Sequence, residues 1–225
     1  MNPSANKFER AVNAVDWEQA ELDAPNSPLA QCGAGPGEYS GPDLQLRELN
    51  GVALLRLHSL QSAEELNSAL DAVNIQLPAQ PLNSHGIDPS ALSLAPGEWL
   101  LFSEFLGADR LSETLNSVLD GQHSRVLDLS PGHAVFRLEG RSAPWLLGKL
   151  CALDVFRMNP DEPCAMRTRI QEVAVTLHYH SPGGRKSGPV FDLICDRSMT
   201  RYLWQLLIAS IPHAEQLLQL YGKPE

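Results

Sequence analysis

His178 and His180 flank a single tyrosine, and on a β-strand that spacing puts both imidazoles on one face, which is how a metal site begins. No third ligand stands near them in the sequence, and metal sites need three or four. A polar strand face is therefore the reading, and no metal ligand is assigned. Cys32, Cys151, Cys164 and Cys195 are even in number but widely spaced, with no C-x-x-C pair to signal a zinc ribbon or a redox site. Reduced and mostly buried thiols are expected. The chain carries no Walker loop, G-x-S-x-G, H-E-x-x-H or dinucleotide-binding glycine fingerprint. No catalytic residue and no cofactor-binding residue is assigned.

Charge is the next source of chemistry. Seventeen Lys and Arg against 27 Asp and Glu leave a net −10, which argues against binding to phosphate backbones and so against nucleic acid as partner. The deficit is regional. Residues 1–50 hold eight acids and three bases, whereas residues 137–201 hold ten bases and seven acids. The basic stretch suits an acidic partner or a carboxylate ligand, or else a face that neutralises itself. Trp204, beside Arg201 and Tyr202, is the tryptophan most suited to anchor an interface.

The elements that position these residues follow from periodicity. In 225 residues, 43% of them hydrophobic, there is enough apolar surface for a large domain. No run approaches the roughly 20 apolar residues of a membrane span, and no signal-peptide core opens the chain, so a cytoplasmic protein with no membrane partner is expected. Residues 1–43 form an acidic arm whose Gly33–Pro42 segment is too rich in Gly and Pro for a helix or a central strand. Beyond it, Val52–His58 is a strand, and Ala63–Val73 carries apolar residues at helical spacing. Ala91–Leu94 and Glu98–Ser103 form a strand pair about Pro96-Gly97. A helix with Leu111, Leu115, Val118 and Leu119 on one face follows, stopped by Gly121.

The order then recurs. Arg125–Ser130 and His133–Glu139 read as strands joined at Pro131-Gly132, and Ser142 as the N-cap of the next helix. Thr168–His180 is one long β-branched run, 182–188 a turn, Val190–Cys195 a strand, and Ser198 the cap of a last helix buried through Leu203, Leu206 and Leu207. These elements predict an α+β fold of antiparallel sheets with helices, built from two related βαββα-type halves, about 44–122 and 123–225. The connections in the strand pairs are too short for parallel crossovers.

Two stretches resemble a known family. Leu94-Ala-Pro-Gly-Glu-Trp-Leu-Leu101 resembles the L-x-P-x-E-W-L-L signature of the gamma subunit of heterotetrameric sarcosine oxidase, and Asp128–Gly140 the strand pair that follows it there. The likeness continues through Ser142–Cys151, Leu153-Asp154, Cys164–Arg169 and Phe191–Ser198 into the final helix, covering about residues 45–212. That family is similar to the folate-binding aminomethyltransferase of the glycine cleavage system. The resemblance implies an aminomethyltransferase-like folate-binding-domain fold in residues 44–225. It also implies a non-catalytic gamma chain that assembles with an alpha subunit and the rest of a heterotetramer. FAD, FMN, NAD and tetrahydrofolate are then carried by the partner subunits and none by this chain. The complex would demethylate sarcosine oxidatively to glycine. A free-standing folate-binding one-carbon transfer protein, and a gamma chain serving another N-methyl amino acid oxidase or dehydrogenase, are the alternatives. In the aminomethyltransferase pattern a functional Asp opens a strand, whereas Asp192 lies inside one, so that role is not carried over to it.

Overall fold

A computed structural model of the chain describes residues 27–33, 37–159, 162–180 and 188–222. The acidic stretch 1–26 and the turn at 181–187 lie outside the described residues. The elements are α1 (Pro28–Gln31), β1 (Glu38–Ser40), β2 (Gln45–Leu49), β3 (Ala53–Ser59), α2 (Ala63–Leu70), β4 (Ser84–His85), β5 (Ser90–Ala95) and β6 (Glu98–Ser103). They continue with α3 (Ala108–Val118), β7 (Ser124–Asp128), β8 (His133–Glu139), α4 (Ala143–Leu150), β9 (Cys164–Ile170), β10 (Val173–His180), β11 (Val190–Asp196) and α5 (Thr200–Tyr221).

The strands form two antiparallel sheets, ordered β4-β5-β6-β3-β7 and β1-β2-β8-β11-β10-β9. Alternation along each strand decides which layer a side chain enters. In the first sheet Leu55, Leu57, Trp99 and Leu101 face α2 and α3; in the second, Phe136, Leu138, Leu177, Phe191 and Leu193 face α4 and α5. The opposite faces meet each other, with Leu54, Leu100 and Phe102 against Val135, Ala165 and Ile194. The result is four layers, helix, sheet, sheet, helix, with central strands such as β6, β8 and β11 buried on both faces. No helix among the described residues is long and apolar enough to cross a membrane.

The two halves are present and they trade strands. β5-β6-β3-β7 of the first sheet corresponds to β10-β11-β8-β2 of the second. β7 leads directly into β8 yet pairs with β3, and β2 leads directly into β3 yet pairs with β8. The predicted strand pair at 125–139 therefore does not form as a pair. Its short connection, including the Ser130–Gly132 turn, carries the chain from one sheet to the other. The predicted single run Thr168–His180 is two strands: Gln171, at φ +50°, turns β9 into β10, and the two pair from Val173↔Ile170 to Tyr179↔Cys164.

Ser142 stands at the N-cap position of α4 as expected, but its side chain makes no capping hydrogen bond and its hydroxyl is buried without a partner. Asp196 caps the short turn Arg197–Met199 that leads into the last helix, its carboxylate accepting from Ser198 N at 2.8 Å, so Ser198 supplies a donor and not the cap, and Met199 opens α5 without a side-chain cap. α5 then runs through Pro212 and buries Leu203, Leu207, Ile211, Ala214 and Leu218, while Leu206 is half-buried. α2 has a complete capping box between Ser62 and Glu65. From Ser27 onward the N-terminal arm is docked: Leu29 is fully buried, and the Glu48 carboxylate accepts from Leu29 N at 3.0 Å and from the Ser27 hydroxyl.

Gly140 sits where two backbones meet. Its φ is +135°, and a Cβ there would stand 2.3 Å from the Asp43 carbonyl oxygen. Gly140→Ala is expected to cost about 2 kcal/mol or more, combining a disfavoured φ with a backbone clash. Urea denaturation checks this as a lower midpoint with an unchanged slope.

Candidate functional site

The charged residues that chemistry would need converge between the sheets. On β8, β11 and β10, Arg137 is the register partner of Asp192, and Asp192 of His178. Their apolar neighbours point at α4 and α5, so this row points at the first sheet. Asp192 is fully buried and accepts from Arg137 Nε at 2.6 Å and Nη2 at 2.7 Å, a two-pronged guanidinium–carboxylate pair. His180, two residues further along the same face, donates from Nε2 to Asp192 Oδ2 at 2.5 Å. From the loop after β6, Glu104 reaches the remaining prong, Arg137 Nη1, at 2.7 Å.

Each group's proton affinity follows from these contacts. Burial alone would push the Asp192 carboxyl up, but the Arg137 and His180 hydrogen bonds outweigh it and hold the group well below the usual carboxylate range. Burial also opposes the charge on Arg137, and Asp192 and Glu104 overcome that, keeping the guanidinium charged. His178 is pushed down to about 3, first by burial and then by the neighbouring His180. Its ring lies 4.0 Å from that of His180, centroid to centroid, and edge-on to Phe102 at 6.4 Å. His178 Nδ1 is buried with no hydrogen-bond partner and stands 4.0 Å from Asp192 Oδ2.

Further along the same inter-sheet layer lies a cavity of about 370 Å³, bounded by Leu54, Leu100, Ile194, Arg56, Glu98 and Arg167 among others. Its arginines are not idle. Arg56 Nη2 is 3.2 Å from one Glu98 oxygen, and Arg167 Nη2 binds the other.

The remaining expected residues are placed as follows. Trp204 packs on Phe136, with ring centroids 5.7 Å apart, and is half-buried at the edge of the core. The basic stretch is largely self-neutralised: besides Arg137 and Arg167, Arg141 pairs with Asp43, Arg157 with Asp154 and Arg169 with Glu172. All four cysteines are free; Cys195 is buried, Cys151 and Cys164 are half-buried, and Cys32 is exposed. Burial pushes the Cys195 thiol up to about 12, so it is no nucleophile. The Arg137–Asp192 pair is absent from the sequence-based expectations. Its signal was an opposite charge in each of two apolar strands, Phe136-Arg137-Leu138 and Phe191-Asp192-Leu193.

Among solved structures, the chain matches one of heterotetrameric sarcosine oxidase from Corynebacterium sp. U-96, solved in complex with pyrrole 2-carboxylate. The identity is 26% and the TM-score 0.68, over 84% of this chain and 95% of that one. This chain is a structural relative of sarcosine oxidase. The sarcosine oxidase resemblance read from Leu94–Leu101 and Asp128–Gly140 thus extends to the whole architecture. Aminomethyltransferase T of the glycine cleavage system from Bartonella henselae shares the fold, at 14% identity and a TM-score of 0.56, over 81% of this chain and 56% of that one. No family model matches, and no curated protein matches.

Proposed function

We propose that this chain is the gamma-type subunit of a heterotetrameric sarcosine oxidase, cytoplasmic, and that it serves assembly and stability without a reaction centre of its own. The observation that carries this reading is the extent of the match: 95% of a chain of the Corynebacterium complex is covered, against 56% of the aminomethyltransferase. The buried chemistry is consistent with it. Arg137, Asp192 and Glu104 are spent on one another, with no activated hydroxyl or thiol beside them. The flavins, the dinucleotide and the folate then belong to the partner subunits, as the family resemblance implies. Exposed apolar side chains suit a docking role: Ile87 and Phe105 are 93% and 86% exposed. They sit on two loops tied together by Asp88, which accepts from Ser103 Oγ at 2.9 Å and Glu104 N at 2.7 Å.

The inter-sheet cavity favours a second reading, a folate-binding one-carbon protein, because two arginines border it and folate carries carboxylates. Glu98 already engages both arginines, which weighs against that use. Titration calorimetry of the isolated chain with tetrahydrofolate separates the two. The docking reading expects no binding heat, and saturable binding would favour the folate reading. Co-expression with the large flavoprotein subunit, followed by size-exclusion chromatography, is expected to bring the two chains out in one peak. Persistent separation from a properly assembled large subunit would count against the proposal.

A further inference from the structure

His178, His180 and Asp192 form a donor set that a docking role leaves unused. We infer that these three side chains bind a first-row divalent cation, zinc in the first instance. Each offers one ligand atom, and the three atoms lie within 4.8 Å of one another. Two imidazoles and one carboxylate are a zinc-type set, unlike the all-oxygen sets that hold magnesium or calcium. The second observation is independent: His178 Nδ1, in a fully buried side chain, has a lone pair or proton with no partner in the protein, and it stands 4.0 Å from Asp192 Oδ2. A buried polar atom left this way is costly unless something completes it.

A tetrahedral ion with bonds of about 2.0–2.2 Å separates its nitrogen and oxygen ligands by roughly 3.4 Å. The 2.5 Å His180–Asp192 contact must open and the 4.0 Å His178–Asp192 distance must close, each by less than about 1 Å. The ion takes the place of the proton between His180 and Asp192. His180 binds as a neutral imidazole with its one ring proton on Nδ1: the Nε2 proton is exchanged through solvent to Nδ1, so no net proton is lost from the neutral ring, and Nε2 and Oδ2 each turn a lone pair to the metal. Arg137 does not block this. Its Nε and Nη2 bonds use one lone pair of each carboxylate oxygen, as hydrogen bonds to metal-bound carboxylates do, and Glu104 offsets its charge. The His180 side chain is 24% exposed, against 3% for His178, so the ion enters from the His180 side and water supplies the fourth ligand.

Metal-free full-length protein is titrated with Zn²⁺ in competition with a chromophoric chelator, and with Co²⁺ followed by visible absorption. The expected result is one equivalent of Zn²⁺ drawn from the chelator and cobalt bands of tetrahedral intensity. His180→Gln, at a partly exposed position, and His178→Leu are each expected to weaken zinc binding by about tenfold or more while far-UV circular dichroism is unchanged. Cys32→Ser, which removes the exposed thiol, leaves binding intact. Failure to take zinc, binding that survives both histidine substitutions, or binding lost with Cys32 would overturn the inference. Should His178→Leu fail to fold, the His180→Gln comparison decides alone.

Discussion

Asp192→Asn is expected to lower the unfolding free energy by about 3–5 kcal/mol, because it removes the fully buried counter-ion of the Arg137 guanidinium and leaves only the partly exposed Glu104 to balance it. For a chain of this size each kcal/mol moves the melting temperature by about 2–4 °C, so the fall is on the order of 10 °C. Replacing both members, Arg137→Met with Asp192→Leu, is expected to recover most of that loss. Glu104 and His180 are 29% and 24% exposed, so both can turn to solvent once the pair is gone. Thermal unfolding of Arg137→Met, Asp192→Leu and the variant carrying both checks this as a double-mutant cycle. Additive losses would show that the pair does not act as a unit.

The second large effect is on pH. In metal-free protein His178 is held neutral down to about 3, whereas in the unfolded chain an imidazole protonates near 6.5. Between those values the unfolded state binds the extra proton. Stability therefore falls as the pH drops below about 6.5, with a slope approaching ~1.4 kcal/mol per pH unit from this residue. Asp192 acts in a lower window: its contribution is complete above the ordinary carboxyl value near 4 and is lost as the pH falls toward its depressed folded value. The groups facing His178 are His180, Asp192 and, through Asp192, Arg137. Urea midpoints measured from pH 7 to pH 5 are expected to fall steeply in the native sequence and to flatten in His178→Leu. Parallel curves would assign the acid sensitivity elsewhere.

Most strands were legible because each is an apolar run bounded by Gly or Pro, as with Ala53–Ser59 and Glu98–Ser103. Pairing was legible only where a tight turn joined neighbours. β5 and β6 meet about Pro96-Gly97 as expected, whereas β7 and β8 look the same in sequence and part into different sheets. What separates them is the burial of both faces of β8, between α4 and α5 on one side and the first sheet on the other. That is a tertiary demand. The cluster at Arg137, Asp192 and His178 was hidden for the same reason. Arg137 and Asp192 are 55 positions apart, and only the order β8-β11-β10 brings the row together. A charge inside an apolar strand is a sign that the strand is buried on both faces and that a partner of opposite sign awaits it.

The docking role is tested most directly by native mass spectrometry of this chain co-expressed with the flavoprotein subunits of a heterotetrameric sarcosine oxidase from the same genome. The predicted result is an assembly that contains one copy of this chain, and a lower yield of the intact oxidase when it is omitted. Flavoprotein subunits that assemble fully, oxidise sarcosine and never retain this chain would contradict the account.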